Sequence, residues 1–423
     1  MNLIFLNLNC LKNKKLENSQ HYWSRRKFIA AMGGAGAFVF INPFSSWTDF
    51  SATDDRIARI VSKTFGIDTH NHVDVPLILS ELPGPKLDLR GEIKKSGLSC
   101  IVMTFAVDYQ KLTEEGQAYD RFLNGLTAMD QVLEDNSMKR ALNLADLEMA
   151  KKAKTPIVIQ SVEGGHFLEG KIERLEVAYD RGLRHFGLLH DNDASVPLGD
   201  VFTNPPQWGG LTGFGAEVIR ECERLGILID LSHCDNNAIN AALKIAKKPV
   251  LVSHSGLNTR LGNNEMMSKM MLPRLISKEQ AKIVAGNGGV IGVWTHLAEK
   301  PSDFANNIKA MVDVVGIDHV AIGTDTKMTP AYHSPNDKWG QSQNKPKQDK
   351  NTDKGHQSEQ NSGKQQQKHI EKTTNTNWAD QKRGFYYSVV ESLLNAGFGE
   401  NEIGKIGGGN YCRIFGEATN HKN

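Results

Sequence analysis

The sequence predicts an α/β protein in which eight parallel strands close into a (β/α)8 barrel. From Phe65 onward, eight short β-branched runs alternate with amphipathic helical stretches. The chain has 423 residues, 39% hydrophobic and 23% charged, as in an ordinary globular enzyme, and its 39 glycines suit many tight strand-to-helix turns. A doubly wound open sheet is the alternative architecture, but no GxGxxG motif follows the first strand.

The charge balance argues against polyanion binding as the main role. Fifty lysine and arginine residues oppose 48 aspartate and glutamate residues, which leaves a formal net charge of +2. Such a chain has no overall field that would attract nucleic acid or an anionic membrane, so we expect no nucleic-acid partner. The five cysteines lie far apart without a CxxC pair, and this spacing effectively excludes a cysteine zinc site.

Residues 1–50 are predicted to be an export signal and its linker. Ser24-Arg25-Arg26-Lys27-Phe28-Ile29 precedes a mild apolar run rich in glycine and alanine, Ala30 to Phe44. The paired arginines resemble the twin-arginine export signal, which implies recognition by the twin-arginine export machinery and a periplasmic or otherwise exported protein. A transmembrane anchor is the alternative, but the run is shorter than the roughly 20 apolar residues that a membrane span requires.

Residues 55–335 contain the predicted barrel. Its strand-like runs are Phe65–Asp74, Cys100–Val107, Pro156–Glu163, His185–His190, Ile227–His233, Val250–His254, Gly289–His296 and His319–Asp325. Helical patterns between them are Glu114–Leu133, Ile172–Gly182, Phe214–Leu225, Asn237–Ile245, Lys278–Gly286 and Phe304–Val315. Alternation of strands and helices is typical of parallel βαβ units.

A polar segment after the eighth strand interrupts this pattern. Residues 336–376 are dominated by Lys, Gln, Asn, Asp and Ser, a composition that cannot bury enough apolar surface to offset its chain entropy. We therefore expect a disordered insertion there. Helical patterns return within residues 377–420, which are expected to complete the barrel domain.

Imidazole and carboxylate side chains collect at the ends of the predicted strands. They are His70, His72, Asp74, Glu163, His190, His233, His254 and Asp325. In a (β/α)8 barrel the C-terminal strand ends face one mouth, where active sites lie, and these side chains are the ligands that zinc prefers. A lone strand histidine is more often a hydrogen-bonded core residue, but six strands that end in this way predict a metal centre.

Spacing supports the metal centre. His70 and His72 are two residues apart, so their side chains leave the same face of a strand and can chelate one ion. Glu163 precedes paired glycines that allow a ligand to approach, and its two oxygens can bridge two cations. Asp325 is placed to accept a proton from metal-bound water, whose pKa a metal lowers toward about 7.

The order of these motifs resembles that of the membrane (renal) dipeptidase family, zinc metallopeptidases with an amidohydrolase-type barrel. The motifs are Asp68-Thr69-His70-Asn71-His72, Val162-Glu163-Gly164-Gly165-His166, Leu188-Leu189-His190, Ile229-Asp230-Leu231-Ser232-His233, Val252-Ser253-His254-Ser255, Pro273-Arg274, Asn287-Gly288-Gly289-Val290-Ile291-Gly292 and Gly323-Thr324-Asp325. The resemblance runs from about Phe65 to Asp325 and resumes near Gly384.

The resemblance implies a dinuclear centre with two zinc ions. His70 would bind one ion together with His72, and His233 and His254 would bind the second. Glu163 would bridge both ions and count among the catalytic residues.

Three further roles follow from the same resemblance. His190 would contact the substrate carbonyl and steady the oxyanion, so that it is both a catalytic and a substrate-binding residue. Arg274 would hold the terminal carboxylate of the substrate. Asp325 would take and return the proton.

Two positions depart from the family pattern. The first-strand motif of the family is usually His-x-Asp, whereas this chain has His70-Asn71-His72 with Asp74 two residues later. Either His72 replaces the aspartate or the strand bulges so that Asp74 ligates, and regular strand spacing favours His72. The Asp-Phe-Asp-Gly of the family is Asp325-Thr326-Lys327-Met328 here, so the second acid is missing.

These observations predict an exported zinc dipeptidase that hydrolyses a dipeptide through a metal-activated hydroxide. A barrel hydrolase for another amide, lactone, N-acyl amino acid or phosphoester is the first alternative, and a non-catalytic binding relative is the second. A homodimer is a further possible assembly of this chain.

Overall fold

Eight parallel strands form a closed barrel in the computed structural model, which describes residues 44–109, 111–335 and 372–420, with side chains from residue 54 onward. The strands are β1 (Ile67–His72), β2 (Cys100–Thr104), β3 (Ile157–Glu163), β4 (Leu183–Gly187), β5 (Leu228–Asp230), β6 (Leu251–Ser255), β7 (Val290–Val293) and β8 (Val320–Ile322). Each strand pairs with the next in parallel, and β1 pairs with both β2 and β8. The predicted (β/α)8 fold is confirmed. A two-residue strand, β9 (Thr326–Lys327), also pairs with β1.

Helices precede, connect and follow the strands. They are α1 (Phe44–Lys63), α2 (Leu89–Ser96), α3 (Gln117–Asp135), α4 (Leu144–Ala153), α5 (Arg174–Asp180), α6 (Gly213–Leu225), α7 (Asn236–Ile245), α8 (Glu265–Met271), α9 (Lys278–Gly286), α10 (Pro301–Val315), α11 (Phe385–Asn395), α12 (Glu400–Gly404) and α13 (Asn410–Thr419). Capping side chains begin several of them: the Asp235 carboxylate accepts from the Ala238 backbone N–H at 2.6 Å at the start of α7. This cap lies two residues after His233, so the chain turns from a site residue directly into a helix.

Residues Thr53–Asn423 form one compact unit, and Met1–Ala52 form another, of which only the backbone from Phe44 is described. The predicted export signal therefore lies outside the described residues. The linker expected up to residue 50 is helical from Phe44, as part of α1. None of the described helices is both long and apolar enough to span a membrane.

The N-terminal end of the barrel is filled by side chains from the strands and from α13. Ile67 of β1, Val102 of β2 and Ile159 of β3 belong to one buried cluster that also contains Tyr411 and Phe415 of α13. This apolar end leaves the opposite, C-terminal end of the barrel for polar side chains.

Two glycines allow neighbouring strands to pack closely next to the polar end of the barrel. A Cβ atom at Gly292 or at Gly323 would collide with the carbonyl oxygen of Ser253. That oxygen also accepts a hydrogen bond from Thr69 Oγ1 at 2.7 Å. Glycine is therefore required at both positions for β6, β7 and β8 to approach each other here.

A buried polar network joins β1 to the residues after β8. The Asp68 carboxylate accepts from Thr324 N at 2.8 Å and from Asn71 Nδ2 at 2.8 Å. Asn71 Nδ2 also donates to Thr374 Oγ1 at 2.9 Å, and Thr374 is fully buried. Thr374 was expected in the disordered insertion, but it is ordered and buried in this network, so the prediction is wrong for residues 372–376. Residues 336–371 of the predicted insertion lie outside the described part of the chain.

Candidate metal centre

The C-terminal ends of the strands bring five of the predicted imidazoles around Glu163, the last residue of β3. Glu163 Oε1 lies 2.9 Å from His233 Nε2, 3.4 Å from His70 Nε2 and 3.7 Å from His254 Nε2. Glu163 Oε2 lies 3.4 Å from His190 Nε2 and 3.7 Å from His72 Nε2. A single carboxylate thus faces five histidine nitrogens, as a bridging ligand would.

The donor atoms form overlapping groups with spacing suited to cations. Within the described residues, three groups have all their ligand atoms within 4.8 Å of one another: His70, His72 and Glu163; Glu163, His190 and His233; and His70, His254 and Asp325. All five predicted metal ligands are therefore brought together. The groups also include His190 and Asp325, to which the sequence assigns catalytic roles.

Glu163 has the properties of an ion-binding carboxylate. It is buried, and its Oε2 atom accepts no hydrogen bond from any described residue. Burial by itself would raise the pKa of Glu163, but His190, His70 and His233 hold this pKa well below its usual value, so the group is a carboxylate. A buried anionic oxygen without a hydrogen bond is costly unless a cation contacts it, so the residues present fit a metal ion.

His72 belongs to this cluster, whereas Asp74 points elsewhere. His70 Nε2 and His72 Nε2 are 3.2 Å apart, and Tyr109 Oη lies 3.3 Å from Nδ1 of His72. Strand β1 does have an irregular register between Asp68 and Asn71, but Asp74 forms an ion pair with Lys327 Nζ at 2.7 Å. Lys327 occupies the position of the second acid that the resemblance led us to expect.

Single substitutions in β1 and just after it should show whether His72 or Asp74 is a metal ligand. We expect His72→Ala to lower the bound metal, because it removes a nitrogen that faces Glu163 and His70. Asp74→Ala should leave the metal content near that of the wild type, since the ion pair of Asp74 is with Lys327 and not with the histidines around Glu163. Metal analysis of both purified variants checks this, and metal loss in Asp74→Ala alone would reverse the assignment.

The two histidines after β5 and in β6 are held by neighbouring polar groups. His233 has a left-handed backbone, with φ of 66°, and its Nδ1 lies 3.0 Å from Asp191 Oδ1. His254 Nδ1 lies 2.9 Å from Ser253 Oγ, which in turn donates to Asp230 Oδ2 at 2.5 Å. With each Nδ1 engaged, the Nε2 atoms of both rings face the cluster, 3.0 Å apart.

The two rings differ in their charge environment. Burial lowers the pKa of His254 to about 3, with help from the neighbouring His70, which leaves a neutral imidazole able to bind a metal. Burial acts in the same direction on His233, but Glu163 and Asp191 outweigh it and raise the pKa of His233 to about 10. A cation bound beside Glu163 would compete with that proton.

His190 lies three residues beyond the end of β4 and is oriented by a carboxylate that the sequence analysis did not identify. Asp108 Oδ1 is 2.6 Å from His190 Nδ1. Burial opposes ionisation of Asp108, but the bond to His190 lowers the pKa of Asp108 to about 2. Asp108 is therefore an anion that accepts from Nδ1–H of His190 and directs the Nε2 atom of that ring toward Glu163.

Asp325 is placed between the histidines of β1 and the end of β7. It has a left-handed backbone, with φ of 55°, and its Oδ1 lies 3.3 Å from His72 Nε2. Its Oδ2 lies 2.7 Å from His296 Nε2. Burial would raise the pKa of Asp325, but His254 and His296 hold that pKa well below its usual value.

Arg274 lies beside the cluster in a cleft of about 430 Å³ whose lining also includes His233, His254 and Phe202. Its Nη2 donates to Asp191 Oδ2 at 2.7 Å, and Asp191 Oδ1 contacts His233. One carboxylate thus connects a predicted metal ligand to the predicted substrate-binding arginine. About a quarter of the Arg274 side chain, 27%, is exposed to the cleft and its surroundings.

Sequence reasoning missed the polar side chains that support the cluster. They are Asp108, Tyr109, Asp191, Asp230 and His296. A signal existed for His296, which lies three residues beyond β7, as His190, His233 and Asp325 lie three residues beyond β4, β5 and β8. No comparable spacing singles out Asp108. Its contact with His190 depends on how the loop after β2 meets the loop after β4.

The barrel and its polar mouth define a (β/α)8 protein whose strand ends bring together side chains that could hold metal ions. A model of the membrane dipeptidase family (peptidase family M19) matches residues 54–336. The chain therefore belongs to that family, as its motifs predict.

Individual relatives agree with this assignment. A protein of Schizosaccharomyces pombe, described as an uncharacterized dipeptidase, is 31% identical over 175 residues, which are 39% of this chain and 40% of that protein. The matched segment thus spans only two fifths of the length of this curated relative.

Solved structures show the same fold at low identity. The probable dipeptidase PvdM of Pseudomonas aeruginosa is 15% identical with a TM-score of 0.64, over 87% of this chain and 99% of that one. An amidohydrolase of Pseudomonas aeruginosa is 22% identical with a TM-score of 0.62, over 86% and 98%. A metallopeptidase of Rhodobacter sphaeroides, liganded with a phosphinate mimic of the dipeptide L-Ala-D-Ala, is 14% identical with a TM-score of 0.57, over 84% and 99%.

Proposed function

We propose that this protein is a zinc-dependent dipeptidase that holds two ions and hydrolyses dipeptides with a free C-terminal carboxylate. The observation that carries the proposal is the link from Glu163 through His233 and Asp191 to Arg274, with contacts of 2.9, 3.0 and 2.7 Å. The Arg274 guanidinium is thus connected through Asp191 and His233 to the proposed metal ligands, as an enzyme for short substrates requires.

The proposed ligands divide around Glu163. His70 and His72 would hold one ion, His233 and His254 would hold the second, and Glu163 would contact both. Nitrogen and carboxylate oxygen ligands without sulfur fit zinc, which is the basis for proposing this metal. When bound, zinc supplies a hydroxide nucleophile at neutral pH and polarises the scissile carbonyl.

The protein side chains would orient the substrate and move its protons. The planar guanidinium of Arg274 suits bidentate capture of the substrate carboxylate, and Asp191 holds one edge of it in place. The imidazole of His190, oriented by Asp108 at Nδ1, would stabilise the carbonyl oxygen through Nε2 as negative charge develops there. Asp325 would accept the proton of the attacking water and return it to the leaving amine.

Substitution of Arg274 distinguishes a dipeptidase from a barrel hydrolase that acts on other substrates. We expect Arg274→Lys to lower kcat/KM for free dipeptides tenfold or more, because it loses a charge-assisted hydrogen bond that contributes roughly 1.5 to 3 kcal/mol. The metal content should stay at the wild-type level, since Arg274 contacts Asp191 rather than Glu163. Steady-state kinetics on a dipeptide panel, with metal analysis of the same samples, measures both.

C-terminally amidated dipeptides are the matched control. The wild type should cleave them poorly, and Arg274→Lys should change that low rate little, because the amide offers no carboxylate to lose. Equal cleavage of free and amidated dipeptides by the wild type would contradict the proposal and favour a hydrolase for another amide, lactone or ester.

Export is proposed from the sequence of residues 24–29, with its paired arginines before an apolar run. The twin-arginine export machinery would be the partner and the periplasm the expected destination. Replacing Arg25 and Arg26 with lysines should retain the protein in the cytoplasm, as cell fractionation would show. Unchanged export of that variant would contradict the proposal.

A further inference from the structure

The two carboxylate oxygens of Asp325 have different surroundings. Oδ2 lies 2.7 Å from Nε2 of His296, an ordinary hydrogen-bond distance. Oδ1 has longer contacts, 3.3 Å to His72 Nε2 and 3.7 Å to His70 Nε2. The contact to His296 is therefore the shortest of these three contacts of the Asp325 carboxylate.

His296 is held in register with Asp325 by the pairing of β7 with β8. Just before His296, Thr295 donates to the Thr324 carbonyl oxygen from its backbone N–H at 3.3 Å and from its Oγ1 at 3.0 Å. The ring of Trp294, which is almost fully buried, meets the His296 ring edge-on with centroids 5.1 Å apart. The position of the His296 imidazole is thus held by Trp294, which packs against its ring, and by Thr295, which bonds to Thr324 next to Asp325.

We propose that His296 is a positioning residue that holds the Asp325 carboxylate through Oδ2, so that Oδ1 faces the metal cluster. This inference rests on the proposed function, in which Asp325 carries the proton. The orientation matters because proton transfer needs a group within hydrogen-bond reach of the reacting atom.

An ordinary surface ion pair does not explain this contact. The Asp325 side chain is only 12% exposed, and that of His296 is 28% exposed. The backbone N–H of Asp325 donates to the His70 carbonyl oxygen at 3.1 Å, which fixes the main chain. With the main chain fixed, side-chain rotation is the freedom left to Asp325, and His296 restricts it.

Two variants of His296 test this role. His296→Ala removes the contact, whereas His296→Gln keeps an N–H donor near the position of Nε2. We expect His296→Ala to lower kcat for a dipeptide roughly 10- to 100-fold, the range typical of partners that orient active-site ligands, with KM and metal content unchanged. His296→Gln should recover most of that loss. Crystal structures should show the Asp325 carboxylate rotated or in several conformers in the alanine variant only.

A matched control distinguishes positioning from a general loss of stability. His319 is also partly buried and lies before β8, at the other end of the barrel, where its Nδ1 contacts the Gly289 carbonyl oxygen at 2.7 Å. His319→Ala should leave kcat unchanged. His296→Ala should also have no further effect on kcat in an Asp325→Asn background, because the two residues act as one unit.

Defined outcomes would overturn the inference. Unchanged kcat and an unmoved Asp325 carboxylate in His296→Ala would overturn it, and so would a kcat loss that follows metal loss. If the wild type cleaves no dipeptide, the proposed function fails, but the position of Asp325 in the variant structures still decides the role of His296.

Discussion

Glu163→Gln should lose both metal ions to dialysis and, with them, dipeptide hydrolysis. The substitution preserves the shape of the side chain but removes the negative charge that five histidine nitrogens face within 3.7 Å. The glutamine side chain also replaces one carboxylate oxygen with an NH2 group, which cannot ligate a cation. Metal analysis of the purified variant, expressed as equivalents per chain, measures the effect.

Glu169→Gln is the matched control for this substitution. Glu169 follows the same strand, and its side chain is only 7% exposed, but its carboxylate pairs with Arg174 Nη1 at 2.8 Å. We expect this variant to lose thermal stability and to keep its metal. Two full equivalents of metal in Glu163→Gln would show that Glu163 does not bridge the ions.

Asp325→Asn should abolish most turnover while leaving the metal in place. General acid–base groups typically contribute about 10²- to 10⁴-fold in rate, so kcat should fall within that range. KM should change little, because Arg274 rather than Asp325 is proposed to bind the substrate carboxylate. Steady-state kinetics of the variant at saturating metal measures both parameters.

The metal content of Asp325→Asn determines which role Asp325 has. Asp325 shares a group of donor atoms with His70 and His254, so a ligand role is the competing explanation for a rate loss. Retained metal with a low kcat supports proton transfer. Loss of one equivalent would identify Asp325 as a ligand instead.

The fold could be predicted because each βα unit shows in the local sequence pattern. Helix Lys278–Gly286 has the bounds that its pattern predicts, and all eight strands exist, although most are shorter than their apolar runs. The strand ends were extended too far because the chain turns at residues such as Asp230, which bonds to the Ser232 N–H at 3.0 Å. Hydrophobicity alone does not distinguish a strand end from a buried turn.

The site could be predicted in part. His70 and His72 were placed by strand spacing, which depends on neighbours in sequence. Asp108 and Asp191 could not be placed, because they act on His190 and His233 across loops whose meeting depends on the whole barrel. The pairing of Asp74 with Lys327 was missed for the same reason, since β9 was not expected beside β1.

Zinc reconstitution of the metal-free protein tests the central claim most directly. Chelator-treated protein should hydrolyse no free dipeptide, and activity should rise with added zinc to a plateau at two equivalents per chain. Restored activity at that plateau is the result that a dinuclear zinc dipeptidase predicts. Turnover without metal, or fully loaded protein that cleaves no dipeptide, would contradict it.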